Sequence, residues 1–356
     1  GYVQDKIEMN AFVMNLGLRF DYADQLSPFR SNPLNPTSVV DSKPKLQWSP
    51  RLGVAHPISD RTSLHFSYGH FFQNPDYTRL YENSQYDVNV REPIFGQPNL
   101  DAERTTAYEV GVSHQFGEAI VGSFTAYYKD VIGLVGTQYF FPFVEGRYVG
   151  YTLYVNEAYA NIKGFEARID MRRTKYLSGS MTYTYSVAKG SASSETEDYP
   201  GTTASTLLYS LAFDKPHMFN LNANLYLPEK TGFSLFGVFP LENTIWNFVV
   251  RASSGYPYTP QPNGRAISYI EKNSARRPMT YSVDAQINKE WKFGPTKVTI
   301  FAEILNLTDH RNVLYVYTDT GEPDVTTSGG YSQDYIRDPS NFGPPRRIRL
   351  GARFGF

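Results

Sequence analysis

Over much of this chain, apolar and polar residues alternate one by one. From Tyr176 to Val187, Leu177, Met181, Tyr183, Tyr185 and Val187 fall on one side, and Ser178, Ser180, Thr182, Thr184 and Ser186 on the other. That period of two belongs to an extended strand with one apolar and one wet face. The split recurs from Phe219 to Leu227, where Phe219, Leu221, Ala223, Leu225 and Leu227 oppose Asn220, Asn222, Asn224 and Tyr226. Asparagine disfavours strands, so its repetition at alternate positions marks a face that meets water. Tyr108, Val110, Val112 and Phe116 oppose Glu109, Ser113 and Gln115, and Val283, Ala285, Ile287 and Trp291 oppose Asp284, Gln286, Asn288 and Glu290. At the end, Ile348, Leu350, Ala352, Phe354 and Phe356 oppose Arg347, Arg349 and Arg353.

The pattern predicts about thirteen strands, near 2–8, 12–22, 48–58, 63–73, 105–116, 119–130, 159–172, 176–188, 217–227, 245–254, 280–293, 296–307 and 346–356. The connections between them alternate in length. Tight turns such as Ser59-Asp60-Arg61, Gly117-Glu118 and Gly294-Pro295 alternate with long stretches rich in Gly, Pro, Ser, Asp and Tyr, as in 74–101, 131–158, 189–216 and 309–345. A soluble sandwich has no reason to gather its long loops at one end, whereas a membrane β-barrel has short turns on one side and long loops on the other. The segment 228–243, with Phe233, Leu235, Phe236, Val238 and Phe239, is long where a short turn is due, and reads equally as an extended turn or an extra hairpin. Tyr and Phe cluster where strands meet loops, as at Phe20 and Tyr22, Tyr68 with Phe71 and Phe72, and Tyr127 and Tyr128. Such rings suit a membrane interface.

Composition narrows the choice. No run in the 356 residues approaches the eighteen or so apolar residues of a membrane helix, and mean hydropathy is -0.42. A membrane strand meets lipid only at every second side chain, so a polar average remains compatible with a barrel. A formal charge of -1 argues against nucleic acid as a partner. The lack of cysteine excludes a disulfide scaffold, thiolate catalysis and cysteine-held metals.

Several stretches, in order, resemble the C-terminal part of the barrel of TonB-dependent outer-membrane receptors. They are YVQDKIEM with NLGLRFDY (Tyr2–Met9, Asn15–Tyr22), WSPRLGVAHPISDRTSLHFSYGHFFQNP (Trp48–Pro75), PNLDAERTTAYEVG (Pro98–Gly111), SSGYPYTP (Ser253–Pro260), FAEILNLTDHRN (Phe301–Asn312) and GPPRRIRLGARFGF (Gly343–Phe356). The resemblance implies an all-β, transmembrane, antiparallel up-and-down barrel of 22 strands around an N-terminal plug. Residues 1–356 are then expected to be its C-terminal portion, with the plug and first strands outside this chain. It also implies a bacterial outer-membrane location and active uptake of a scarce nutrient: a siderophore, vitamin, glycan or peptide. The implied partners are outer-membrane lipid and lipopolysaccharide, the barrel-assembly machinery, which reads a terminal aromatic such as Phe356, and the TonB energy-coupling complex acting through the plug. Two competitors are a passive porin and a soluble β-rich adhesion or glycan-binding protein.

Sites of chemistry are scarce. There is no nucleophile elbow, phosphate loop or dinucleotide fingerprint, so no catalytic residue and no cofactor are expected. His65 and His70 differ by an odd number and fall on opposite faces of a strand, which argues against a shared metal. The loop acids Glu195, Glu197 and Asp198, or Asp319, Glu322 and Asp324, suit loop solvation better than calcium. Asp284, Glu290, Glu303, Arg168, Arg347, Arg349 and Arg353 face the lumen by parity. Candidate ligand contacts are the loop aromatics Tyr77, Phe140, Phe141, Tyr148 and Tyr258, whose rings stack on sugars, catechols or peptide side chains alike; self-packing of the loops is the competing role.

Overall fold

The computed structural model describes residues 1–9, 12–197, 207–237, 239–262, 271–327, 329 and 332–355. Thirteen antiparallel strands pair strictly in chain order. They are β1 (Tyr2–Glu8), β2 (Val13–Ala23), β3 (Lys45–Ser59), β4 (Thr62–Gln73), β5 (Glu103–Phe116), β6 (Ile120–Phe140), β7 (Tyr151–Met171), β8 (Leu177–Gly190), β9 (His217–Leu227), β10 (Thr244–Ser253), β11 (Thr280–Phe293), β12 (Thr296–Leu305) and β13 (Arg347–Gly355). Each expected strand is present. Phe356, Asp198 and Val238 lie outside the described residues.

The register carries the alternation across the whole wall. Ser178, Asn224, Asn247, Gln286, Glu303 and Arg349 are successive partners from β8 to β13. One residue along, Leu177, Leu225, Trp246, Ile287, Ala302 and Leu350 form the next row. Neighbouring residues point to opposite faces, so a polar row backs directly onto an apolar one. The polar face is internally paired: Asn247 Nδ2 donates to Asn224 Oδ1 at 2.7 Å and to Asn222 Oδ1 at 3.0 Å, and Arg251 meets Asp284 at 2.8 Å. Among the described residues nothing comparable covers the apolar face. Ile348, Leu350 and Phe354 are 62%, 78% and 64% exposed, and the other sheets among the described residues have two strands each. A sandwich would bury this face, whereas a membrane wall presents it to lipid. Tyr68, Tyr108 and Tyr128 sit in one row of it, with ring centres 5.0 and 6.3 Å apart, as an interfacial girdle requires.

One expectation is corrected. Only 141–150 of residues 131–158 form a connection: β6 and β7 run on for 21 residues each and pair up to Phe140 and Tyr151. At roughly 3.3 Å per residue, such strands are far longer than a bilayer crossing needs. Their glycines and polar residues gave a loop-like composition, yet the ladder continues through an irregularity between Val155 and Tyr159. The ambiguous segment 228–243 is an extended turn with no ladder strand among its described residues; Lys230 N–H donates to Glu242 at 2.9 Å across it. The short turns at 60–61, 117–119 and 294–295 stand as expected. Glycines with φ of +60° occupy two of these, Gly117 and Gly294.

Candidate ligand-binding site

The long connections 24–44, 74–102, 141–150, 191–216, 254–279 and 306–346 leave the sheet at the opposite end from the short turns. Here lie the fully buried side chains Leu80, Phe95, Tyr154, Tyr209 and Leu211. Leu80, on the short helix Tyr77–Tyr81, packs with Leu100, Val135 and Tyr154 of the strand extensions. Leu211 packs on Ala160 and Ala188 of β7 and β8. The connections therefore fold against the polar face and roof the mouth of the wall.

Polar ties fix them there. Tyr154 Oη donates to Glu82 at 2.8 Å and accepts from Arg79 Nη1 at 3.1 Å, while Arg79 Nε binds Glu195. Burial, then the Glu82 bond, pushes the Tyr154 phenol well above its ordinary range. Glu197 accepts the Ser193 N–H and lies 3.7 Å from Lys272. In the last connection, burial works to raise the Asp319 carboxyl, but the Thr327 and Thr326 hydroxyls and the Thr327 N–H outweigh it and hold it at about 2. These loop acids are spent on loop structure, and no group of three metal-ligating side chains occurs among the described residues.

The expected ligand contacts separate into four places. Phe141 and Tyr148 stack at 5.1 Å with an 8° interplanar angle at the tip of the β6–β7 hairpin, beside Tyr139 and Phe143. Phe140 stacks on Tyr151 at 5.3 Å, at the strand ends. Tyr77 is exposed and stacks on Tyr81 at 6.3 Å. Tyr258 lies in a two-residue strand pairing with Ala275, and its hydroxyl sits where a side chain at Gly321 would stand. Of the five, only Phe141 and Tyr148 stack on each other; Phe140 stacks on Tyr151.

Among the hollows that the described residues form on the polar face, two are roomy. One, of about 560 Å³, spans β1 to β6, where Gly17, Gly53, Gly69 and Ala107 leave room among Arg51, Glu109 and Lys129. The other lies at the mouth over β9 to β11. Its lower part, about 350 Å³, is lined by Lys215, Asn220, Arg251 and Ser282, and its upper part, about 380 Å³, by Lys215, Tyr256, Arg277 and Tyr315. Gly255 makes this closeness possible: a Cβ there would stand 2.0 Å from the Arg277 carbonyl oxygen. Asn312 fixes the far side, accepting from Tyr281 N–H at 2.7 Å and donating to its carbonyl at 2.8 Å. Sequence reading missed Lys215 and Arg277. The only available signal was Tyr256 in SSGYPYTP.

Residues 1–307 match the family described as TonB dependent receptor-like, beta-barrel. Among solved structures, the outer membrane transporter YddB from Escherichia coli aligns with a TM-score of 0.67 at 14% identity, over 99% of this chain and 44% of that one. The FrpB iron transporter from Neisseria meningitidis aligns at 0.60 and 15% identity, over 99% and 44%. P. aeruginosa FpvA, bound to a heterologous pyoverdine, aligns at 0.58 and 13% identity, over 99% and 37%. The chain thus spans less than half the length of these structures, and at such identities the likeness is one of fold. No curated protein matches the sequence.

Proposed function

The chain belongs to the TonB-dependent receptor β-barrel family, and we propose that it serves as the C-terminal part of the barrel of an outer-membrane active transporter. Nutrient is caught at the roofed mouth and on the polar face, then released inward when the TonB energy-coupling complex acts through a plug outside this chain. The class of nutrient is a siderophore, vitamin, glycan or peptide. In this reading the apolar face meets outer-membrane lipid, lipopolysaccharide surrounds the long-loop end, and the barrel-assembly machinery inserts the chain.

The observation that carries the reading is the back-to-back pairing of a polar and an apolar row across the wall, roofed at one end by packed connections. A passive pore gains nothing from a mouth closed over by buried aromatic and aliphatic side chains, whereas a receptor gains a preorganised surface. The test is uptake in cells whose only change is deletion of the full-length gene. Loss of growth on a limiting nutrient, restored by the gene and abolished by collapsing the proton-motive force, is expected. Uptake that continues in de-energised cells assigns the protein to passive diffusion instead.

A further inference from the structure

Among the described residues, the mouth over β9 to β11 holds two cations, Lys215 and Arg277, that no carboxylate neutralises. Neither part of the hollow is lined by an aspartate or glutamate. Arg251 spends its charge on Asp284 at 2.8 Å. Lys215 and Arg277 have no such partner among the described residues. Lys215 Nζ stands 4.0 Å from the centre of the Tyr256 ring and 3.5 Å from Ser253 Oγ. The Arg277 guanidinium stands 5.2 Å from the Tyr315 ring and donates through Nη1 to the Leu314 carbonyl, while its buried Nε has no acceptor. The Arg277 N–H also donates to the Tyr256 carbonyl at 3.0 Å, which groups both cations about Tyr256. A ring face attracts a cation without cancelling its charge, and partly buried charge is costly until an opposite charge joins it. Tyr256 and Tyr315 remain 43% and 58% exposed, so ring surface is open beside the charges.

We propose that this hollow seats an oxyanion: a small ligand carrying a carboxylate on a planar apolar frame. The carboxylate is taken by the Lys215 ammonium and the Arg277 guanidinium, charge-assisted donors on either side of Tyr256, and the frame lies against Tyr256 and Tyr315. The inference deepens the transporter reading, on which it rests for placing the hollow along the ligand's path, by naming the charge and shape of what the mouth accepts.

Benzoate and benzamide share a ring and differ in charge, and serve as probes. Each is titrated by ligand-observed NMR against the full-length receptor in a non-ionic detergent. Benzoate is expected to bind about tenfold more tightly, with the advantage shrinking as salt rises. Lys215→Ala and Arg277→Ala are each expected to weaken benzoate about fivefold and leave benzamide unchanged, with Arg277→Lys recovering part of the loss. Heat-dependent gel mobility reports whether each variant is folded; if one is not, the salt titration of the parent receptor decides alone. Equal affinity for the two probes, or a benzoate affinity indifferent to salt, overturns the proposal. Binding to purified receptor needs no energy coupling, so passive uptake with retained benzoate preference refutes the transporter reading alone, and energised uptake without that preference refutes this one alone.

Discussion

Arg276 holds Asp214 by two groups: Nη1 donates to its backbone carbonyl at 2.8 Å and Nη2 to its carboxylate. The Asp214 side chain is 1% exposed, and its other oxygen accepts the Ala188 N–H at 2.8 Å. One buried carboxylate thereby joins two connections to the end of β8. Asp214→Ala keeps the bond of Arg276 to the backbone carbonyl but takes the carboxylate from its guanidinium and leaves the buried Ala188 amide unpaired, a local cost on the order of 3 kcal/mol. Hydrogen exchange is expected to rise at residues 207–216 and 275–277 while the β8–β9 ladder keeps its protection. Unchanged exchange at Ala188 would show that the carboxylate does not hold the roof.

Leu221 and Asn222 are neighbours on opposite faces of β9. Leu221→Arg puts a charge toward lipid and is expected to cost about 2–4 kcal/mol near mid-bilayer, less toward the rims. Asn222→Arg, on the polar face, is expected to cost well under half of that. Unfolding titrations of the receptor in lipid vesicles measure both, and equal losses would contradict the assignment of faces.

Gly255→Ala drives a Cβ into the Arg277 carbonyl. The contacts are all backbone atoms of Arg277 and Pro278, with no flexible side chain to yield, so the connection must move. Faster exchange of the Arg277 amide, which bonds the Tyr256 carbonyl at 3.0 Å, is the expected signature, together with weaker benzoate binding. A crystal structure of the variant with that bond intact would refute the prediction.

Asp319 supplies a pH dependence. Its folded value of about 2 lies below the ordinary 3.8, so its contribution is fully present above 3.8 and fades as pH falls through about 2. Proteolysis of 309–346 by an acid-active protease is expected to be flat down to about pH 4 and to accelerate below it, with the same acceleration already present at neutral pH, under a neutral-active protease, in Asp319→Ala. A variant as resistant as the parent at every pH would remove Asp319 from this role.

At the hairpin tip, Phe141 and Tyr148 stack almost parallel. A double-mutant cycle of Phe141→Ala and Tyr148→Ala is expected to give a coupling of about 0.5–1.5 kcal/mol in local opening measured by hydrogen exchange. Additive effects would mean that the rings touch without stabilising each other.

The strands were readable because parity is a local property. Asn220, Asn222 and Asn224 announce a wet face whatever lies beyond them in the chain, and the register from β8 to β13 places them with Asn247, Gln286 and Glu303 as parity requires. The site was far less readable. Phe140, Phe141 and Tyr148 stood out by ring content, yet Phe140 stacks on Tyr151, and Phe141 and Tyr148 stack on each other. Lys215 and Arg277 carry no local mark, and only the fold leaves them without a carboxylate among the described residues. The extension of β6 and β7 was hidden because the packing of Val135 and Tyr154 against Leu80 and Leu100 supports strand there, while composition favoured loop.

The amino-acid order alone determined that the chain forms thirteen strands, though not how far β6 and β7 run, which side chains seek lipid and which seek water, and at which end the long connections emerge. Those properties depend on neighbours one or two residues away, through the pleat of an extended backbone. Only the tertiary structure decided that Asp214 meets Arg276, that Gly255 lets Arg277 close on Tyr256, and that Lys215 joins them over the mouth. These residues lie tens of positions apart in loops without periodicity, so their meeting is set by how each connection packs onto the wall.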